Sequence, residues 1–321
     1  MRSMKTQLKE GLFAGFRKGW SGFVWMIKIL VPISFLTALL AWSGWVEKGQ
    51  FIIQPLMDWL SLPAVAALPL LIGMLTGIYG GIAAMVVLPL TTEQMTLIAI
   101  FLLMAHNLIQ EGVIQGKSGI NPAKATVFRL ICATLTVMVV AIFLDIDTSV
   151  QTAPISSEVM RQSFWPMVWR WALASSKLCI KIFFIIMTIL ITLEVIKKIG
   201  WIEHIVRVGK PILKTLGLSE KAGILWMTAA LFGLAYGAAV IVEEANEGHL
   251  HKEELEALHL SIGINHSLIE DPALFLALGV SAFWLWIPRL ITAVIAVRLF
   301  SFYNFLLRKR RPAKVEIHRD C

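Results

Sequence analysis

Six stretches of the chain, residues 24–42, 64–90, 124–144, 172–196, 222–242 and 284–307, are each apolar over roughly the twenty residues that a helix needs to cross a bilayer. A strand-based spanning fold would alternate apolar and polar residues in short segments, and no such alternation is visible. In lipid the backbone must therefore satisfy its own hydrogen bonds as helix. With 57% hydrophobic and 16% charged residues, the chain reads as an all-α, polytopic membrane protein. The basic N-terminal stretch "MRSMKTQLKEGLFAGFRKGW" precedes a long apolar run with no small-residue cleavage site, so the first helix is expected to be retained. Cys132, Cys179 and Cys321 have neither metal nor disulfide-framework spacing.

The chain also contains itself twice. "GWVE" at 44–47 recurs as "GWIE" at 200–203, and the same shift pairs Pro55 with Pro211, Gly77 with Gly233 and Gly81 with Gly237. After a four-residue insertion, "HNLIQE" (106–111) pairs with "HSLIED" (266–271) and "RLICA" (129–133) with "RLITA" (289–293). Apolar helices match by chance, but colinear Trp, Pro, His and Arg are hard to obtain from leucine-rich composition. The expected organisation is a basic amphipathic cytoplasmic N-terminus (1–20), a first repeat (21–160), a second repeat (161–307) and a basic cytoplasmic tail (308–321), with amphipathic helices at the interface.

Charge predicts how the copies point. Lys and Arg gather on the cytoplasmic side of short loops. Residues 1–20 carry five of them, whereas the corresponding loop 145–165 carries Arg161 beside Asp145, Asp147 and Glu158. Segment 43–61 carries Lys48 alone, while 197–221 carries Lys197, Lys198, Arg207, Lys210, Lys214 and Lys221. The bias reverses between copies, which predicts an inverted repeat with both termini in the cytoplasm, a construction common in secondary transporters. Inversion requires an odd number of crossings per copy. With spans at 24–42, 64–90 and 124–144, segment 95–111 is expected to be a re-entrant hairpin or half-helix, and 253–271 its counterpart. "GIYGG" (77–81) and "GLAYG" (233–237) then fall inside spans, where Gly77, Gly81, Gly233 and Gly237 permit a break or a close helix contact.

The polar ends of those segments carry the chemistry. In a helix His106 and Gln110, and Asn107 and Glu111, share neighbouring faces, and His266 with Glu270, and Ser267 with Asp271, repeat the pattern. An ionisable group inside the membrane costs about 2.5–3.5 kcal/mol on insertion scales and faces a partner or water. Its duplication points to a shared solute or ion site; hydrogen bonds that simply hold helices together are the plainer alternative. Arg129 and Arg289 could neutralise Glu111, Glu270 or Asp271, fix a hairpin end, bind an anion, or snorkel to the headgroups. Trp42, Trp45, Trp165, Trp169, Trp284 and Trp286 suit an interfacial belt.

Other function classes are excluded or unsupported. "GVIQGKS" (112–118) has three residues where a P-loop needs four before GK, and lies between membrane segments. The run 243–259 holds His249, His251 and His259 among glutamates, but matches no closed metal site and reads as a solvated acidic helix. The excess of Lys and Arg, 29 against 21 acidic residues, reflects cytoplasmic loops and not nucleic acid. No nucleophile, base and orienter are grouped, so an enzyme is not expected, and no cofactor is implied beyond a coupling cation of unspecified identity.

"LIAIFLLMAHNLIQEG" with "RLICA", and "LHLSIGINHSLIEDPALF" with "RLITA", resemble the nucleoside-recognition, or Gate, domain membrane proteins. Similar cores occur in spore-maturation membrane proteins, in the membrane part of the ferrous-iron transporter B family and in concentrative nucleoside transporters. The chain lacks the GTPase domain of the iron transporters and the length of the nucleoside transporters. The resemblance implies an inner-membrane, transport-type core with paired hairpins. The expected function is a bacterial inner-membrane secondary transporter or permease in contact with the lipid bilayer, moving a small polar solute or ion through a central site, with homo-oligomer formation open. The alternative is a non-transport membrane protein that assembles with a partner in envelope or lipid-precursor metabolism.

Overall fold

The computed structural model describes residues 4–144, 146, 163–232, 234–248 and 250–310, and among them every regular element is helical. In the first half, α1 (Met4–Trp42) and α2 (Trp45–Asp58) lead through a 3₁₀ turn (Ala64–Ala66) into α3 (Ala67–Thr76) and α4 (Ile78–Met85). Then come α5 (Thr92–Ala105), α6 (Leu108–Lys117) and α7 (Pro122–Ala141). The second half follows the same order with α8 (Phe164–Ile199), α9 (Ile202–Leu216), α10 (Glu220–Phe232), α11 (Leu234–Asn246), α12 (Lys252–Asn265), α13 (Glu270–Leu276) and α14 (Ala282–Arg310). Residues 4–20 run directly into the first apolar helix. Five segments are long and apolar enough to cross a membrane: α1, Thr92–Lys117, α7, α8 and 282–306 of α14.

α1 and α8 pack along their length in opposite directions. Gly11 faces Val195, Gly15 faces Ile191 and Gly19 faces Met187, so the glycine stripe of "GLFAGFRKG" brings two backbones together where any Cβ would collide. Farther along, the hydroxyls of Ser34 and Ser175 lie 3.4 Å apart, and the Trp171 indole donates to Ser34 Oγ at 3.1 Å. Near the other end, Lys18 pairs with Glu194 at 2.9 Å.

The 64–90 stretch corrects the sequence expectation. It does not cross as one helix, because α4 folds back on α3 with Gly77 as the turn. Gly77 has φ +94°, a conformation in which a side chain would be strained. Gly81 then lies against Gly73 and the Pro69 carbonyl, which only small residues allow. Arms of ten and eight residues reach about 15 and 12 Å, half of a ~30 Å hydrocarbon core. The second half repeats this: Gly237 of α11 packs on the Ala229 backbone of α10, while Gly233 lies outside the described residues.

Conversely, 95–111 is no hairpin. α6 does not return along α5, and Thr92–Lys117 forms a broken helix whose 26 residues reach about 39 Å, enough to cross. In the first half the hairpin and the crossing therefore exchange places relative to the expectation, while the break after α5 keeps the half-helix alternative. Mean hydropathy alone could not tell them apart, because α3 and α4 together are as apolar and as long as a span.

Candidate functional site

The two broken helices set the site. α5 begins at a capping box, with Thr91 Oγ1 accepting from the Gln94 amide and Gln94 Oε1 from the Thr91 amide, and it ends at His106 in extended conformation. Asn107 then takes a left-handed conformation, φ 52°, before α6 starts. α12 ends in the same way at His266, and Ser267 has φ 50°. Two non-glycine residues in this sparsely populated region, at equivalent positions, are held there by their surroundings. The freed backbone is bound by the hairpins: the Asn107 amide donates to the Gly73 carbonyl at 3.1 Å, and the Leu268 amide to the Ala230 carbonyl at 2.8 Å. Backbone opened inside the apolar bundle is thus satisfied by protein.

At the breaks the two histidines meet. His106 Nε2 and His266 Nε2 are 3.1 Å apart, with both residues buried. Each ring is fixed by its other nitrogen, His106 Nδ1 lying 2.7 Å from the Leu102 carbonyl and His266 Nδ1 3.0 Å from the Ile262 carbonyl. Each carboxylate then lies next to the histidine of the opposite half. Asp271 Oδ2 is 3.6 Å from His106 Nε2, and Glu111 Oε1 is 3.4 Å from His266 Nε2.

The arginines close the frame from outside. Arg129 and Arg289 are 2% and 0% exposed, which rules out snorkelling to headgroups. Arg129 holds Glu111 at two points, Nη2 donating to Oε1 at 2.7 Å and Nη1 lying 2.6 Å from Oε2 as an ion contact without hydrogen-bond alignment. Its Nε donates to the carbonyls of Met104 (2.9 Å) and Gly263 (3.0 Å), and Nη2 to that of His106 (3.1 Å). Arg289 donates to the Ile264 and His266 carbonyls at 3.1–3.2 Å, and its Nη1 finds no hydrogen-bond partner among the described residues. Both cations therefore neutralise the carbonyl ends of broken helices, where partial negative charge collects.

The remaining candidates spread outward. Ser267 Oγ accepts from the Asp271 amide at 3.3 Å, and Asn107 donates to Gln110 at 2.7 Å, but Gln110 is exposed and outside the centre. Glu270 accepts from the Tyr79 hydroxyl at 2.8 Å, which ties the first hairpin to the second broken helix. Sequence reasoning missed Tyr79, whose equivalent in the second half is Ala235, so the repeat gave no signal. Trp286 does not belong only to an interfacial belt, since its indole donates to the Leu268 carbonyl at 2.8 Å beside the second break. The acidic run 243–259 has His251 at the start of α12, where its amide donates to Glu254 at 3.1 Å; His249 lies outside the described residues. At that surface the Ser219 hydroxyl holds the Glu254 carboxyl below its ordinary range.

The chain is 26% identical over 294 residues to YvoD of Bacillus subtilis (strain 168), described as an uncharacterized membrane protein, across 91% of this chain and 93% of that one. No family model matches the chain. No solved structure matches it. The similarity and the five apolar segments agree on a multi-pass membrane protein whose helices contact the lipid bilayer.

Proposed function

We propose that the chain is a secondary transporter or permease of the bacterial inner membrane, moving a small polar solute or ion through the centre between the two broken helices and the two hairpins. The observation that carries this reading is the convergence of His106, His266, Glu111 and Asp271 in the middle of an apolar helical bundle, from equivalent points of both halves. Intramembrane ionisable groups are costly, and a fold that needed only helix contacts would be more stable with apolar side chains in their place.

Further support comes from direction. α1 and α8 occupy equivalent places in the two halves and run antiparallel, as an inverted repeat requires. Combined with the loop charges, this reading puts both termini in the cytoplasm. On this reading the short hairpins end near the membrane middle, which also suits the Gate-type core that the sequence resembles. Since no nucleophile stands beside a base at the centre among the described residues, the centre is read as a binding site and not a catalytic one.

Purified protein in liposomes, screened for uptake of nucleosides, divalent cations and small organic anions, tests the proposal. Uptake of one class that His106→Ala and His266→Ala abolish is the expected result. Inertness to all of them, together with co-purification of one stoichiometric partner, would instead favour a role in an envelope assembly. Cysteine labelling that places 197–221 outside the cell would sink the inversion.

A further inference from the structure

The histidine pair raises a problem of hydrogen placement. A carbonyl can only accept, so the Nδ1 atoms that face the Leu102 and Ile262 carbonyls must both carry the ring hydrogen. Neutral imidazoles then present two lone pairs to each other across 3.1 Å, an arrangement that is repulsive unless something positive lies between them. The surrounding charge points the same way. Three carboxylates, of Glu111, Glu270 and Asp271, face two guanidiniums, of Arg129 and Arg289, which leaves one uncompensated negative charge that favours a cation without fixing its valence; the imidazole pair is what selects a metal.

We propose that His106, His266 and Asp271 bind a divalent transition-metal ion, with a Glu111 oxygen as the fourth ligand at its edge. This inference names the ion class of the centre and rests on reading that centre as the solute site. Ligand atoms of the two histidines and Asp271 lie within 4.8 Å of one another. Two ligands at about 2.0–2.1 Å from a tetrahedral zinc ion are separated by roughly 3.3–3.4 Å. Three separations, 3.1 Å between the histidines, 3.6 Å from His106 to Asp271 and 3.4 Å from His266 to Glu111, lie close to that edge, whereas His266 and Asp271 stand farther apart, within 4.8 Å, so Asp271 has to close on the ion.

The outer contacts suit a metal too. A ligating histidine ordinarily gives its second nitrogen to a carbonyl, which fixes the ring and the tautomer, and both do so here. Paired imidazoles disfavour magnesium and calcium, which take oxygen, and favour zinc and its first-row neighbours. Glu111 is held by Arg129 and Asp271 is not clamped by Arg289, so one carboxylate is fixed while the other is free to close on an ion.

The test uses untagged full-length protein in detergent, stripped with a chelator and titrated with Zn²⁺ by equilibrium dialysis. One ion per chain is expected, and Co²⁺ in its place should give the visible absorption bands of a four-coordinate site. His106→Gln and His266→Gln should each weaken Zn²⁺ at least tenfold, while a change of the exposed His204 of α9, His204→Gln, leaves it unchanged. Asp271→Asn keeps the side-chain volume and should weaken it severalfold, which guards against misfolded histidine variants. Absence of binding to the wild-type chain, or undiminished binding to a folded His106→Gln/His266→Gln double variant, overturns the site. In liposomes, Zn²⁺ bound through the histidines but never carried across upholds the site and sinks transport of that ion. Uptake of a nucleoside or organic anion by a chain that binds no metal overturns the site and leaves the transport reading standing.

Discussion

The two halves place the same kinds of residue at the same stations and use them differently. Arg129 grips Glu111 at two points and reaches across to the Gly263 carbonyl of the other half. Arg289, its counterpart, stays within its own half, bound to the Ile264 and His266 carbonyls, with one nitrogen unpartnered among the described residues. A single small residue accounts for part of this. Gly263 leaves room for the Arg129 chain, whose Cδ would lie 3.0 Å from any Cβ added there, and Leu103 stands where the first half would need the same glycine. A frame that is nearly two-fold thus carries an uneven charge, one carboxylate committed to structure and one exposed to the centre.

Glu111→Gln should do the most damage, because it leaves Arg129 buried without its counterion. A loss of about 3–5 kcal/mol is expected, against ~1 kcal/mol or less for Asp271→Asn, and denaturant titration in micelles would reveal equal losses if the asymmetry were unreal. The hairpins differ in the same spirit. A methyl at Gly237 meets the Ala229 Cα at 2.6 Å, whereas at Gly81 the nearest atom belongs to the movable Leu102 side chain. Gly237→Ala should therefore cost about 2–3 kcal/mol and Gly81→Ala about 1, read as thermal midpoints of the purified variants. Tyr79→Phe removes the bridge from the first hairpin to Glu270, at about 1 kcal/mol in the same thermal midpoints. The rim pair of Lys18 with Glu194 marks the lower end: Lys18→Ala should shift stability by under about 0.5 kcal/mol, and less in high salt.

Much of the centre was legible in the sequence because it occurs twice. His106, Glu111 and Arg129 stand out only when laid beside His266, Asp271 and Arg289, since any one of them alone reads as the polar end of a helix. Pattern could not say that 64–90 doubles back, because a hairpin with two apolar arms has the hydropathy of a span. The deciding feature is the positive φ of Gly77 with Gly73 and Gly81 facing each other, a matter of backbone contact. Tyr79 was invisible for the opposite reason: its partner, Glu270, lies 191 residues away and the repeat offers it no twin. That the two imidazoles touch also lay beyond reach, since it depends on how the halves meet.

The Gly73 carbonyl receives two amides, that of Gly77 at the hairpin turn and that of Asn107 beside His106. One oxygen atom is therefore the common mooring of the hairpin tip and of the backbone that carries the imidazole. A swing of the tip about Gly77 has to slip this mooring or drag His106 with it. If the first half opens toward one face of the membrane, as the proposed transport requires, the histidine pair is disturbed in the same stroke, and access and grip become a single mechanical event.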